Sequence, residues 1–176
     1  MKKLNTRQIA LNGVVAGLYA AITILTASFA YGDIQFRIAD ALCLLVALEP
    51  SLTVGLTLGC VIANIFSTVS VLDIVVGSAA TLIAAMLTAR CRSRMLSPLA
   101  PVLVNAVVVG AVLYFVYYSG SAVPMWLPMA QVGLGQFVAC YGLGLPLLGF
   151  LEKRFPSWRE REGEQEGCAL KGEGKA

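Results

Sequence analysis

The chain has 176 residues, of which 58% are hydrophobic and only 13% are charged. A soluble domain has about 25% charged residues, so this composition indicates an integral membrane protein and not a soluble domain with a large core. The net charge of +3 is small, and the basic residues form no face that could follow a phosphate backbone. Nucleic acid is therefore excluded as a partner.

The cysteine and histidine content excludes further classes of function. The chain has five cysteines, no CxxC pair and no histidine. Histidine is the commonest general base and the commonest metal ligand, and cysteine inside apolar runs acts as a small hydrophobe. The GxxxxGK[ST] phosphate loop is also missing. We therefore expect no metal, no cofactor and no ATP hydrolysis by this chain.

Six apolar segments predict an all-α, six-helix membrane bundle. In chain order they cover residues 9–30, 38–49, 52–69, 72–89, 98–118 and 123–151. The second segment is shorter than the roughly 20 residues that cross a bilayer, but Pro50 favours a break after it because proline disfavours helix in the preceding residue. For the first segment, a signal peptide cleaved after Ala27 or Ala30 is the alternative to a retained helix.

The positions of lysine and arginine predict the topology. They form three clusters: Lys2, Lys3 and Arg7; Arg90, Arg92 and Arg94; Lys153, Arg154, Arg159 and Arg161. Such residues concentrate on the cytoplasmic side of a membrane. Six helices with cytoplasmic N- and C-termini put all three clusters there, whereas a five-helix model does not. We expect residues 1–155 to form the bundle and the polar residues 156–176 to form a disordered tail.

Few charges lie inside the apolar region. Between residues 8 and 89 they are Asp33, Arg37, Asp40, Glu49 and Asp73. A charge within a spanning helix costs roughly 2.5–3.5 kcal/mol on insertion scales, so it usually faces a cavity or a partner. The stretch YGDIQFRIADALC, residues 31–43, is predicted at the outer face. Arg37 and Asp40 there form either a local ion pair or part of a polar lid over a pocket.

Further polar side chains interrupt the other segments. Asn64, Asn105 and Gln136 could make ordinary interhelical hydrogen bonds, each contributing about 0.6 kcal/mol, or could contact a ligand. Asp73 begins the fourth segment, where an acid also stabilises a helix N-terminus by about 0.3–1 kcal/mol. Glu49, beside Pro50, is expected at the cytoplasmic interface. As a set, the amides and acids suit a flat heterocycle with donor and acceptor edges.

Small residues recur at helical spacing in the first segment. They are Gly13, Ala16, Gly17, Ala20 and Ala21. Faces of this kind allow helices to approach closely in membranes. The spacing leaves open whether the partner is another helix of this chain or another subunit.

Three pieces of the sequence together resemble a known family. They are IQFRIADALCLLVALEPSLTVGLTLGCVIANIFS, LDIVVGSAATLIAAML and VGLGQFVACYGLGLPLL. Over about residues 8–152 the chain resembles the QueT-type substrate-binding subunits of energy-coupling factor transporters. The resemblance implies a multi-pass protein of a prokaryotic-type plasma membrane that captures a vitamin-like molecule at the outer face. For this family the molecule is a queuosine precursor, a 7-deazaguanine.

The resemblance also implies partners and site residues. The partners are a membrane coupling subunit and two cytoplasmic ATPase subunits, and the substrate-binding subunit delivers its ligand by toppling in the bilayer. Docking on the coupling subunit falls to Ala16 and Ala20 of AGLYA. Together with the polar side chains described above, the resemblance leads to the hypothesis that the ligand contacts are Phe36, Arg37, Asp40, Asn64, Asp73, Asn105 and Gln136. The family commonly has glutamate where this chain has Gln136, which implies a different ligand form or affinity.

Three alternatives stay open at the level of sequence. The chain could be a substrate-binding subunit for another vitamin. It could be a small membrane enzyme that uses paired acids or a cysteine nucleophile, although Asp33 and Asp40 are poorly placed for this. It could also be a structural membrane subunit, which would bind no ligand and would tolerate substitution of Asn64. Identifying a ligand that co-purifies with the protein separates a subunit for a queuosine precursor from one for another vitamin.

Overall fold

The computed structural model describes residues 5–27, 36–66, 73–91, 93, 95–118, 120 and 122–154. Within them the chain forms six helices and no strand: α1 (Thr6–Leu25), α2 (Ile38–Leu48), α3 (Pro50–Ile65), α4 (Ile74–Arg90), α5 (Leu99–Tyr118) and α6 (Trp126–Arg154). They occupy the six predicted segments, so the all-α, six-helix prediction is confirmed. By length and composition, α1, α5 and α6 could each cross a membrane. Asp33 and the predicted tail lie outside the described residues.

Helix α1 begins at Thr6, earlier than predicted, because the residues before the apolar run form a capping box. The Asn5 side chain accepts from the backbone N–H of Thr6 at 2.8 Å, and Gln8 Oε1 accepts from the Asn5 N–H at 3.1 Å. These bonds satisfy N–H groups that have no partner within the helix. Gln8 Nε2 also donates to Glu49 Oε1 at 3.2 Å, which ties the start of α1 to the corner between α2 and α3.

Helix α2 lies at the centre of the bundle. All of its residues from Ala39 to Val46 are buried, and α1, α3, α4 and α6 pack around it. Leu44 of α2 and Gly144 of α6 approach so closely that a Cβ on the glycine would lie 3.1 Å from the leucine side chain. The short second segment is therefore an interior helix, which explains why it is nearly continuously apolar.

The backbone is irregular where α2 meets α6. Residues Ile38–Leu44 form a 3₁₀ helix, and Val138–Gly144 of α6 form a π-helical stretch that packs against it. Runs of 3₁₀ helix longer than three or four residues are uncommon, and π-helical turns frequently occur at functional sites. The junction between α2 and α6 is therefore the first place to look for a site.

Helices α1 and α3 pack backbone against backbone. A Cβ added at Gly55 would lie 2.5 Å from the carbonyl oxygen of Asn12, and one at Gly59 would lie 2.8 Å from that of Ala16. Asn12 Oδ1 accepts from the N–H of Gly55 at 2.5 Å, so a polar contact reinforces the close approach. Glycine is required at both positions because any side chain would push the helices apart.

This packing differs from the docking face expected for α1. Ala16 and Ala20 are only 8% and 6% exposed, because the side of α1 that carries them faces the rest of the chain. The face that remains open has Gly13, Gly17 and Ala21, and a Cβ on either glycine would meet nothing within 4 Å. The small residues of this helix thus form two faces, and Ala16 and Ala20 belong to the buried one.

Candidate ligand-binding site

The site centres on Asp40, which is 1% exposed. The Tyr19 hydroxyl donates to Asp40 Oδ1 at 2.5 Å, and Gln136 Nε2 donates to Asp40 Oδ2. The Cys140 thiol donates to the backbone carbonyl of the same aspartate at 3.7 Å. A buried carboxylate is very costly unless it accepts hydrogen bonds, so α1 and α6 each supply a donor to this one group of α2.

A second set of contacts runs from α2 through α3 to α4. Arg37 Nη2 donates to Asn64 Oδ1 at 3.2 Å, and Asn64 Nδ2 donates to Cys60 Sγ at 3.5 Å. Cys60 Sγ lies 3.2 Å from Thr81 Oγ1. Arg37 is only 4% exposed. It is therefore an interior residue and not the exposed loop residue that the topology of the sequence suggests.

Two apolar clusters bound the site along the bundle axis. The lower cluster comprises Leu44, Leu48, Val102, Cys140 and Leu148. The upper cluster comprises Ala80, Val109, Leu113 and Val132. Both clusters include residues of α5 and α6. Val102 and Val109 on α5, and Val132 and Cys140 on α6, are seven or eight residues apart, which is about two helical turns.

Asp40, Asn105 and Gln136 lie in this interval. Each is three or four residues from the nearest lower-cluster member of its own helix, which is about one helical turn. Asn105 and Gln136 are also four residues from the upper-cluster members of α5 and α6. The three side chains are 1%, 3% and 2% exposed. They form a buried polar layer between two apolar ones.

Asn105 differs from the other members of the layer. Its Oδ1 atom is buried and has no hydrogen-bond partner among the described residues. Most buried side-chain polar atoms in proteins have at least one partner. Asn105 Oδ1 is therefore an open acceptor in this buried polar layer.

The structure thus brings together most of the ligand contacts expected from the sequence. Asp40 contacts Gln136, Arg37 contacts Asn64, and Asn105 lies in the layer of the first pair. Phe36 is half-buried just before α2. The side chain of Asp73, another expected ligand contact, is not among those that the structure describes. The residue itself lies immediately before α4.

Tyr19, Cys60 and Thr81 belong to the site but were not predicted. Tyr19 is fully buried, and a buried tyrosine hydroxyl usually has a hydrogen-bond partner. A tyrosine within the small and aliphatic residues at the middle of α1 was therefore the one available signal. Cys60 and Thr81 gave none, because both residue types are common in membrane helices for packing reasons alone.

Six mostly apolar helices around a buried polar layer define the class of an all-helical membrane protein with polar side chains in its interior. The family comparison agrees with this class. The model of the QueT transporter family matches residues 9–153, so the chain belongs to the QueT transporter family. The resemblance to the QueT family is confirmed, and the family is named as one of transporters.

One curated relative is the queuosine precursor transporter QueT of Lactococcus lactis subsp. cremoris (strain MG1363). It is 34% identical to this chain over 85 residues. The match covers 47% of this chain and 50% of the relative, so the chain spans about half the length of the curated relative it matches. No solved structure matches the chain.

Proposed function

We propose that the chain is the substrate-capture subunit of an energy-coupling factor importer and that it binds a queuosine precursor, a 7-deazaguanine. The observation that carries the proposal is the buried polar layer around Asp40, inside helices that are otherwise apolar. Membership of the QueT transporter family and the name of the curated relative support it.

The chemistry of the layer suits such a ligand. A 7-deazaguanine is a flat ring with N–H donors and a carbonyl acceptor at its edges. Asp40 and Gln136 can exchange their mutual contact for ligand N–H and carbonyl groups, and Arg37 can donate to the carbonyl. The two apolar clusters and Phe36 can cover the ring faces. If the precursor carries an ammonium group, Asp40 or Asp73 supplies the opposite charge.

In this proposal both termini are cytoplasmic and the site opens to the outside. Arg90, Lys153 and Arg154 end α4 and α6, and residues just before them pack on the same core cluster as Leu11 near the start of α1. If successive helices alternate in direction, these basic residues lie at one end of the bundle, which favours a cytoplasmic position for that end. A reporter that is active only in the cytoplasm, fused after α6, should be active; an inactive, stably inserted fusion would reverse the orientation.

Transport energy in this proposal comes from partner subunits. Two cytoplasmic ATPases drive a membrane coupling subunit, on which this chain docks and topples to release its ligand. The docking face is assigned to Gly13, Gly17 and Ala21, since Ala16 and Ala20 are buried within the chain. Small outward residues allow a partner helix to approach closely.

Gly17→Leu tests the docking face. We expect it to abolish co-purification with the coupling subunit while ligand affinity stays within about twofold of the unmodified protein, because a Cβ at Gly17 meets no atom of this chain within 4 Å. Gly142→Leu is the matched control, since Gly142 is also exposed on a helix, and it should leave the complex intact. Co-purification of the Gly17→Leu variant would move the docking face elsewhere.

The direct test of the proposed function is a binding measurement on the detergent-purified protein. Thermal unfolding and calorimetric titration are carried out with several 7-deazaguanines and with common vitamins. We expect a 7-deazaguanine to raise the melting temperature and to bind with saturation. A response to another vitamin alone would replace the proposed substrate, and no response to any compound would favour a structural subunit.

A further inference from the structure

We propose that Asn105 Oδ1 accepts a hydrogen bond from a ligand N–H and thereby selects ligands that carry a donor at that edge. The inference rests on the proposed function, since it concerns the same site and the same class of ligand. Asn105 is 3% exposed, and its carbonyl oxygen is buried without a partner. The geometry thus points to one atom of α5 as the open position of the polar layer.

The other acceptors around the layer are already engaged. Both carboxylate oxygens of Asp40 accept, from Tyr19 and from Gln136. Gln136 Oε1 lies 3.7 Å from Cys140 Sγ and shares the one thiol proton with the backbone carbonyl of Asp40. A ligand donor that binds there must share an oxygen that already accepts a hydrogen bond, whereas Asn105 Oδ1 has no other donor among the described residues. The gain from a new hydrogen bond is therefore greatest at Asn105.

The packing of α5 against α6 places this open acceptor beside the engaged ones. A Cβ on Gly110 would lie 2.6 Å from the Cα of Met129, and one on Gly133 would lie 3.2 Å from the Cβ of Ala106. In this antiparallel register, Asn105 lies opposite the turn of α6 that leads to Gln136. A flat ligand in the layer can contact α5 at one edge and the pair of Asp40 and Gln136 at the other.

Ser97, just before the helix that carries Asn105, provides a matched control. Its hydroxyl is also buried without a partner among the described residues, and the residue is 1% exposed. It precedes α5 by two residues and lies more than two helical turns from Asn105, outside the layer. Ser97→Ala and Asn105→Leu therefore each remove an unpaired buried polar atom, but only the second removes one from the site.

The experiment measures affinity and melting temperature for the unmodified protein, Asn105→Leu and Ser97→Ala. The ligands are a 7-deazaguanine and three analogues, which lack the exocyclic amine, carry a methyl group at N1, or carry one at N9. We expect one analogue to bind the unmodified protein at least tenfold more weakly than the parent ligand. Asn105→Leu should bind the parent ligand at least tenfold more weakly than the unmodified protein does. It should also bind the parent ligand and that analogue with similar affinity.

The melting temperature without ligand separates a binding role from a structural one. It should be unchanged or higher in Asn105→Leu, because an unpaired acceptor has been removed from the interior. Ser97→Ala should behave likewise in stability but should bind every ligand as the unmodified protein does. If the leucine variant does not fold, Asn105→Ala removes the same atom without added bulk.

Two results would overturn the inference and leave the proposed function standing. One is an Asn105 variant that binds the parent as tightly as the unmodified protein. The other is a variant that binds more weakly but keeps the same discrimination among the analogues. If the unmodified protein binds no 7-deazaguanine at all, the proposed function itself fails, and the ligand class inferred for Asn105 fails with it.

Discussion

Asp40→Asn should lower the affinity for a 7-deazaguanine at least tenfold. The substitution keeps the shape of the side chain but removes its charge and replaces one acceptor by an amide donor. Tyr19 and Gln136 both donate to the present carboxylate, so one of them would then face another donor. Hydrogen bonds to charged groups contribute roughly 1.5–3 kcal/mol, and about 1.4 kcal/mol corresponds to a tenfold change in affinity.

The same substitution should lower the free energy of unfolding by about 1–3 kcal/mol, the cost of leaving a buried donor unsatisfied. Titration calorimetry and thermal unfolding in detergent measure the two effects. Glu49→Gln is the matched control, because Glu49 is also a buried carboxylate at the end of α2 but accepts from Gln8 and Ser51, outside the polar layer. The ligand affinity of the Glu49→Gln variant should equal that of the unmodified protein.

Two further variants make the assignment of the site decisive. Tyr19→Phe keeps the ring and removes only the hydroxyl that donates to Asp40. It should weaken binding less than Asp40→Asn does, because the charge remains. Asn64→Ala removes the acceptor of Arg37. If Asp40→Asn and Asn64→Ala both bound ligand as tightly as the unmodified protein, the site would have to lie elsewhere.

The six helices could be predicted from the sequence because the physical signal is strong and local. The ends of the helices are marked by the limits of long apolar runs, by Pro50 and by basic residues at segment ends. These signals depend little on tertiary packing. The depth of Arg37 could not be predicted in this way. Topology placed it in an outer loop, but the side chain reaches Asn64 inside the bundle, and that contact depends on how α2 and α3 pack.

The candidate site was predictable only in part, for a related reason. Polar side chains in apolar helices are costly, so Asp40, Asn64 and Gln136 attracted attention as residue types. Which of them meet depends on the rotation of each helix about its axis, and hydropathy does not report that rotation. Tyr19 was missed because the residue reads as apolar in a spanning segment, although its hydroxyl donates to the central carboxylate.

The small residues of α1 show the same limit. Gly13, Gly17 and Ala21 lie on one face, and Ala16 and Ala20 lie on the other. Their spacing predicts close helix packing for both faces. The close approaches of Asn12 to Gly55 and of Ala16 to Gly59 of α3 reveal which face is internal. A motif of small residues therefore predicts that a helix has a close neighbour but not which neighbour it has.

Gly59→Ala should lower the free energy of unfolding by about 1–3 kcal/mol, the typical cost of adding a methyl group to a tightly packed interior. The new Cβ would lie 2.8 Å from the carbonyl oxygen of Ala16 and 2.9 Å from the Cβ of Tyr19. Backbone cannot move aside as a flexible side chain can, so α1 and α3 must separate. Unfolding followed by circular dichroism in detergent and denaturant measures the change.

Gly17→Ala is the matched control, since it adds the same methyl group to the opposite face of α1. A Cβ there meets nothing within 4 Å, and replacing glycine by alanine inside a helix stabilises it by roughly 0.5–1 kcal/mol. The two variants should therefore change stability in opposite directions. Because Tyr19 is displaced in Gly59→Ala, its bond to Asp40 weakens and ligand affinity should fall as well. Equal stability of the two variants would show that α1 and α3 do not pack as closely as described. The predicted loss of ligand affinity through Tyr19 and Asp40 would then have no structural basis.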